Sequence, residues 1–476
     1  MAYPTSAREP PPRAAPVPTL ERRLGPLDAA AIIVSNVIGG GILFTPPQVA
    51  SNVPGPWLFL ATWVAGGALA FAGAMAYAEL AALRPHAGGE YVYLRAAYGR
   101  LAAFLTGWTS FVAGFSGAIA ASAVVLATYV GRFIHAADDA TPIFVIPLPY
   151  VPLTFSRQSA VALCAIAIMT WIHVRGVGPG RVFTNILAGL KVSALVIFIA
   201  LGFSFGAGSS SHLVQGAGSV AGSAWLLALI PVMFTYSGWN AAAYVAEEVR
   251  NPGRNVPMAL AVGTLGVVAI YVLLNLLFLY VLPVDQLAQV KGSVLDVIAD
   301  RLLGTRAGDV MGIVSIISIA ASISAMVFAG PRVYYAMARD GVFFHSAARV
   351  HPRFHTPAVS IVAQSIWAGL LVLSGSAQAL TTYTGFAVVL FAGVAVISLF
   401  VLRHREPDAV RPFKALGYPI APGIFAIASV LIVGNALYSD LVVPVEHGTA
   451  WGPAAAGIII MGLGIPLYFV FKRRSI

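Results

Sequence analysis

The segment Ile33–Pro46, IVSNVIGGGILFTP, lies within the first apolar stretch of the chain and interrupts it. Its centre is the triplet Gly39, Gly40 and Gly41, and two prolines follow within two turns. A glycine costs a helix about 1 kcal/mol relative to alanine, so three in a row favour local unwinding. In hydrocarbon, such a break is tolerated only where it lines a cavity or contacts a ligand. The helix after the break would offer free N–H groups to a carboxylate, and the helix before it would offer free C=O groups to an ammonium.

Close packing between helices is the alternative explanation, because small residues are common at such contacts in membranes. Gly66 and Gly67 in the second apolar stretch fit that explanation better. The first stretch has a counterpart, however, in the sixth, where Pro231 is followed by FTYSGWN at 234–240. Paired interruptions in corresponding positions of two halves indicate a transporter with a binding site near the membrane midplane.

Composition places the chain in a lipid bilayer. Of its 476 residues, 59% are hydrophobic and 10% are charged, and the mean hydropathy is +0.85. A soluble domain carries about 25% charged residues, so too few are present to solvate a globular surface. The net charge of +10 does not indicate a nucleic-acid partner, since the basic residues flank apolar runs in short loops. The single cysteine, Cys164, permits no disulfide within the chain, and we expect no metal site and no cofactor.

Twelve apolar stretches are long enough to cross a bilayer as helices, which takes roughly 20 residues each. They predict an all-α membrane protein with 12 transmembrane helices. The candidate spans are 27–51, 55–83, 99–131, 158–175, 182–206, 222–247, 257–283, 308–338, 357–375, 379–402, 417–438 and 450–471.

The loops between these spans predict the orientation. With the N-terminus in the cytoplasm, 22 of the 28 Lys and Arg residues lie in cytoplasmic tails and loops. Because cytoplasmic loops carry such an excess, we expect a plasma (inner) membrane protein with both termini in the cytoplasm. Residues 1–24, rich in Pro and Arg and without an apolar core, predict a disordered cytoplasmic tail rather than a signal peptide.

Further segments accompany Ile33–Pro46 and extend to about residue 420. They are Tyr77–Leu80, Gly88–Leu94, Gly238–Asn240, Glu247–Pro252, Arg254–Pro257, Arg332–Gly341 and Arg411–Phe413. Together the segments resemble the amino acid–polyamine–organocation (APC) transporters, and the chain is most similar to the L-type amino acid transporter branch. The resemblance implies a five-plus-five inverted-repeat fold in which helices 1 and 6 are broken. The first repeat would be 25–206, the second 222–403, and two further helices would occupy 417–471.

The resemblance also implies amino acids as substrates. At matching positions, the substrate carboxylate would meet the backbone amides of Gly40 and Gly41. The substrate ammonium would meet the backbone carbonyls of Val37, Phe234 and Ser237. This arrangement agrees with the dipole argument made from the glycine break alone.

Two residues depart from the family pattern near this site. The family usually has Ser where this chain has Gly40, so a hydroxyl donor to the carboxylate is missing. It usually has Gly where this chain has Ser237, and the added side chain indicates small substrates. Phe234 would cover the substrate as an aromatic gate, and Tyr236 and Asn240 would lie in the pocket or at the gate beyond it.

Lys191 is the one basic residue well inside a candidate span. A charge at a helix centre costs at least about 2.5–3.5 kcal/mol on insertion scales, so such a residue indicates a function. Lysine can reach the interface from near a helix end, but Lys191 is near the midplane. In sodium-independent members of the family, a lysine of helix 5 replaces the sodium ion between helices 1 and 8. We therefore expect Lys191 to lie near Ser322, Ser324 and a carbonyl close to Ile38 or Gly39.

Four glutamates near the ends of candidate spans are interpreted as structural. Glu79 and Glu90 frame the cytoplasmic end of the second span, and the pair Glu247 and Glu248 is expected to bind the arginines at 250 and 254. No carboxylate lies in the middle of a span, which favours a neutral substrate.

These observations predict a secondary transporter and not an enzyme. The substrates would be small neutral L-amino acids, moved without sodium, either by exchange or with protons. A polyamine or organic-cation transporter of the same fold would need carboxylates in its cavity, and a channel would need a filter motif. L-type chains of animals join a heavy chain through a cysteine in the loop after helix 3. The corresponding loop, 132–156, has no cysteine, so we expect no disulfide-linked heavy chain and a monomer whose partners are its substrate and the lipid bilayer.

Overall fold

The structure is a computed structural model, and it describes residues 20–148, 152–205, 208–214, 220–304, 306–375, 377–442 and 452–474. Parts of the predicted units lie outside the described residues. They include 1–19 of the expected tail and 443–451 of the C-terminal pair of helices.

Helices make up most of the described chain, because apolar runs of this length satisfy their backbone groups internally only as helices. In chain order they are α1 Pro26–Val37, α2 Gly41–Asn52, α3 Pro56–Leu83, α4 Glu90–Tyr98, α5 Arg100–Thr109, α6 Phe115–Gly131, α7 Arg157–Val174, α8 Val177–Phe205, α9 Gly222–Tyr236, α10 Ala241–Tyr244, α11 Pro252–Val281, α12 Val284–Ala288, α13 Val294–Leu303, α14 Ala307–Ala329, α15 Pro331–Arg339, α16 Ala358–Leu373, α17 Ala377–Arg405, α18 Ile420–Leu437 and α19 Pro453–Arg474.

Nine helical segments of the described residues are long and apolar enough to cross a membrane. The number is ten if α1 and α2, which meet at a bend of 49°, are counted as one span. Two shorter apolar helices, α9 and α16, occupy the candidate spans at 222–247 and 357–375. The chain is therefore a multi-pass helical membrane protein, and the count of 12 spans stays a prediction.

The helices pack in two groups that meet along the first span. In one group α3 packs against α9 and α11, α1 against α11, and α2 against α9. In the other, α6, α7, α14 and α16 pack against one another. The helix α1 also contacts α8 and α14, so the first break is held between the two groups.

Two smaller features frame the bundle. A short antiparallel hairpin, β1 Phe144–Ile146 and β2 Leu153–Phe155, precedes α7. Just before α1, Leu24 pairs with Val249 in a parallel bridge, and Leu20 is buried. Leu20 and Leu24, which we expected to be part of a disordered tail, are therefore packed against the rest of the protein.

Candidate functional site

The first break separates α1 from α2 at the glycine triplet. The helix α1 ends when Ile38 turns to an extended conformation, with φ −76° and ψ 93°. The helix α2 starts at Gly41, and Gly40 before it has φ −62° and ψ −25°. The first N–H groups of a helix have no partner within it, and its N-terminus carries a partial positive charge. The break thus presents amide donors to any group that lies in front of α2.

Lys191 binds the carboxyl end of α1 from the side. It projects from α8, is 1% exposed, and donates to Ile38 O at 2.6 Å and to Ser35 O at 3.0 Å. Among the described residues, no carboxylate oxygen lies within 4 Å of the lysine nitrogen. The partial negative charge of a helix C-terminus favours an ammonium group at this position.

The two carbonyls between Ser35 and Ile38 also have side-chain partners. Ser322 of α14 donates to Asn36 O at 3.3 Å, and Tyr271 of α11 donates to Val37 O at 2.8 Å. The last carbonyls of a helix have no partner within it, so each needs another donor when it is buried. Three different helices supply these donors, which fixes the end of α1 in place.

The second break separates α9 from α10. The helix α9 ends at Tyr236, and Ser237 and Gly238 leave the helical conformation. Gly238 has φ +100°, which a side chain would strain, and a Cβ there would lie 2.9 Å from Asn36 of α1. The two breaks are therefore in direct contact, and this contact depends on the glycine.

A cavity of about 330 Å³ lies where the two breaks meet. Of the predicted substrate-site residues, those that line it are Val37, Gly39, Gly40, Gly41, Phe234 and Ser237. Ser322, predicted beside Lys191, lines it too. The structure thus brings together residues that are about 200 positions apart in the sequence.

Other predicted residues lie outside this cavity. Tyr236 is buried, and its hydroxyl donates to Trp63 O at 3.1 Å, so it holds α9 to α3. Ser324 lies in a separate buried group, where its hydroxyl contacts His173 Nε2 at 2.8 Å and Thr184 Oγ1 at 3.2 Å. Its contacts join α7, α8 and α14 and are not with Lys191.

Asn240 lines a second cavity, of about 120 Å³. The two cavities share lining residues, among them Asn36, Phe234 and Ser237, so they adjoin. Glu90 also lines the second cavity, and Asn240 donates to its Oε1 at 2.7 Å. Glu90, which we interpreted as structural, is therefore next to the candidate site.

The ion pairs of the two glutamates that follow α10 differ from those predicted. Glu248 pairs with Arg332 of α15, and both side chains are fully buried. Glu247 pairs with Arg339 of the same helix at 3.3 Å. The arginines at 250 and 254 are thus not the partners, because two arginines of α15 lie against this segment instead.

Sequence reasoning missed several lining residues. Asn36 is a polar residue in an apolar run beside the triplet, which is a signal that could have been used. Ala118 and Ser122 of α6 and Met326 of α14 also line the first cavity, but their small or apolar side chains distinguish them in no way from packing residues.

The chain is similar to known proteins over nearly its whole length. The family described as amino acid permease matches residues 24–464. The b(0,+)-type amino acid transporter 1 of Mus musculus is 29% identical over 458 residues, which covers 95% of this chain and 88% of the relative. The large neutral amino acids transporter small subunit 2 of Homo sapiens is 28% identical over 466 residues, covering 95% and 80%. The cystine/glutamate transporter of Homo sapiens is 29% identical over 455 residues, covering 95% and 85%.

Proposed function

The chain belongs to the amino acid permease family, and from that premise we propose that it is a sodium-independent secondary transporter of small neutral L-amino acids. The observation that carries the proposal is the cavity of about 330 Å³ at the contact of the two helix breaks. Its volume is at the lower end of the range for small-molecule sites, about 300–1,000 Å³. A small amino acid is a fitting occupant.

The charges at the break match the two ends of an amino acid. The carboxylate would accept hydrogen bonds from the amides of Gly40 and Gly41 at the N-terminus of α2. The ammonium would donate to the carbonyls of Val37, Phe234 and Ser237. Val37 O already accepts from Tyr271, but a carbonyl oxygen has two lone pairs and can accept a second bond.

Lys191 would take the place of a sodium ion in this scheme. Its ammonium binds two carbonyls of α1, which are the ligands that a hard cation would use. A permanent side chain in that position makes a bound sodium ion unnecessary. Ser322, which binds Asn36 O, would support the same end of α1 from α14.

The complete architecture belongs to the same proposal. We infer 12 spans in two inverted repeats, 25–206 and 222–403, followed by two helices within 417–471. The two packing groups of helices would move relative to each other to expose the site to either side in turn. Both termini would lie in the cytoplasm, and the chain would act as a monomer without a disulfide-linked heavy chain.

Uptake into proteoliposomes tests the function. Purified protein would be reconstituted with or without internal L-alanine, and labelled Ala, Ser, Leu, Arg and putrescine would be offered outside. We expect saturable uptake of the small neutral amino acids. Uptake that depends on internal substrate would indicate exchange. Uptake that depends on a pH gradient would indicate proton coupling. Uptake of putrescine alone would assign the organic-cation alternative and overturn the proposal.

A further inference from the structure

A buried carboxylate, that of Glu90, lines the second cavity. Glu90 begins α4, just before the third span, and is 7% exposed. Among the described residues, no Lys, Arg or His nitrogen lies within 4 Å of its carboxylate oxygens. An ionised carboxylate in such a place is costly, so its presence calls for an explanation beyond packing.

Two neutral donors bind one oxygen of the carboxylate. The hydroxyl of Tyr77 donates to Glu90 Oε1 at 2.6 Å, and Asn240 Nδ2 donates to the same oxygen at 2.7 Å. Asn240 also donates to the hydroxyl of Tyr244 at 3.1 Å. A carboxylate offers about four acceptor positions, so two donors on Oε1 leave acceptor positions open on Oε2.

Glu90 lines the second cavity, so a group bound there can reach its open acceptor positions. Besides Glu90, Asn240 and Tyr244, this cavity is lined by Thr109 and Ser110 of the third span and by apolar side chains such as Phe391. The residues from Ser110 to Gly114 form a π-helical turn, which widens the helix at this point. The result is a small, mostly apolar space with one carboxylate in its wall.

We propose that the second cavity is the side-chain compartment of the transport site and that Glu90 selects side chains ending in a hydrogen-bond donor. Hydroxyl and carboxamide groups share this property. The inference rests on the proposed function, because it needs an amino acid backbone bound at the breaks in the first cavity. It narrows the substrates from small neutral amino acids to those with a polar donor.

The physical reason is the cost of an unsatisfied buried acceptor. A hydrogen bond to a charged group contributes about 1.5–3 kcal/mol, and 1.4 kcal/mol is a factor of about ten in affinity. An isosteric side chain without a donor would fill the same space but would make no hydrogen bond to the carboxylate. Threonine and valine differ in just this way, and glutamine and methionine are a longer pair of similar shape.

The experiment is competition against uptake of a labelled small amino acid in proteoliposomes. For the wild type, we expect threonine to inhibit about tenfold more strongly than valine, or glutamine about tenfold more strongly than methionine. In Glu90→Gln the preferred ratio should fall toward one. The control is Glu406→Gln, which removes a carboxylate that pairs with Arg84 outside both cavities, and it should keep the wild-type ratio.

The outcomes separate this inference from the proposed function. If no amino acid is taken up, the proposed function fails. If amino acids are taken up but the wild type discriminates neither pair, the inference alone is overturned, and this comparison holds even if Glu90→Gln does not fold. It is also overturned if Glu90→Gln keeps the ratio and removes only the pH dependence of uptake, because Glu90 would then carry a proton and not select substrates.

Discussion

Single residues complete the backbone hydrogen bonding that the first break leaves open. Lys191, Ser322 and Tyr271 each donate to carbonyls at the end of α1. The depth of Lys191 in its span indicated a role, and the family resemblance placed it near a carbonyl close to Ile38 or Gly39, where the structure has it. Its second acceptor, Ser35 O, was not predictable, since a carbonyl carries no mark in the sequence.

Glu90 has a contact that hydropathy did not predict. It lies between two candidate spans and so was assigned to the cytoplasmic end of the membrane. In the structure α4 packs inward, and Glu90 contacts Asn240 from the second break. A polar residue in a short loop can lie in a site when the loop folds back into the bundle, and a hydropathy profile does not contain that information.

Asp296 of α13 gives a prediction about pH. Burial raises the pKa of Asp296 to about 6, although the hydrogen bond with Ser293 and the charge of Arg132 act in the opposite direction. Because this pKa is above that of the unfolded chain, the folded state binds the proton more tightly between about pH 4 and pH 6. Stability contributed by this group is therefore greatest at the acidic end and falls as the pH rises through that window.

Thermal melting of the protein in detergent at several pH values from about 4.5 to 6.5 measures this effect. We expect the melting temperature of Asp296→Asn to fall less across the window than that of the wild type. Asp309→Asn is the matched control, because Asp309 binds the same Arg132 at 2.7 Å but is more exposed. Equal slopes for Asp296→Asn and the wild type would contradict the prediction.

At the scale of elements, the glycines of the triplet differ in the space around them. A Cβ on Gly39 would lie 2.8 Å from the hydroxyl of Ser322, whereas a Cβ on Gly40 would meet nothing within 4 Å. Gly40 also has helical backbone angles that any residue can adopt. The sequence predicted the break but did not distinguish these positions, because the difference comes from α14, which is remote in the chain.

Matched substitutions at the two positions test this distinction. Gly40→Ser restores the residue usual in the family and should preserve uptake, with a KM equal to or below that of the wild type because the hydroxyl can donate to the carboxylate. Gly39→Ala should lower uptake by about tenfold, since overpacking costs about 1–3 kcal/mol. Initial rates of uptake, measured in proteoliposomes at equal protein content, test both expectations. An inactive Gly40→Ser or a fully active Gly39→Ala would contradict them.

At the scale of the whole molecule, hydropathy and loop charge predicted a multi-span helical protein, and the described helices agree. Contacts between remote helices were not predictable, as the partners of Glu247 and Glu248 illustrate. We placed those partners a few residues away at 250 and 254, but they are Arg339 and Arg332 of α15. Charges that are near in sequence are easily counted, whereas the packing of a remote helix against a loop depends on the whole bundle.

The orientation of the chain is testable with cysteine labelling. In a Cys164→Ser background, Lys291→Cys should react with a membrane-impermeant maleimide on intact cells, because residue 291 is predicted outside. Lys414→Cys should react only after the membrane is permeabilised. Both lysines are exposed in the structure, so accessibility to solvent does not differ between them. Labelling of position 414 on intact cells would contradict the predicted topology.

The most direct test of the central claim is amino acid uptake measured with and without sodium in wild type and Lys191→Ala. The account predicts that replacing sodium by choline leaves wild-type uptake unchanged. Lys191→Ala should lose at least about tenfold of its uptake, because charge-assisted hydrogen bonds contribute about 1.5–3 kcal/mol each. Lys414→Ala, an exposed lysine far from the break, should match the wild type. Wild-type uptake that requires sodium, or full uptake by Lys191→Ala, would contradict the account.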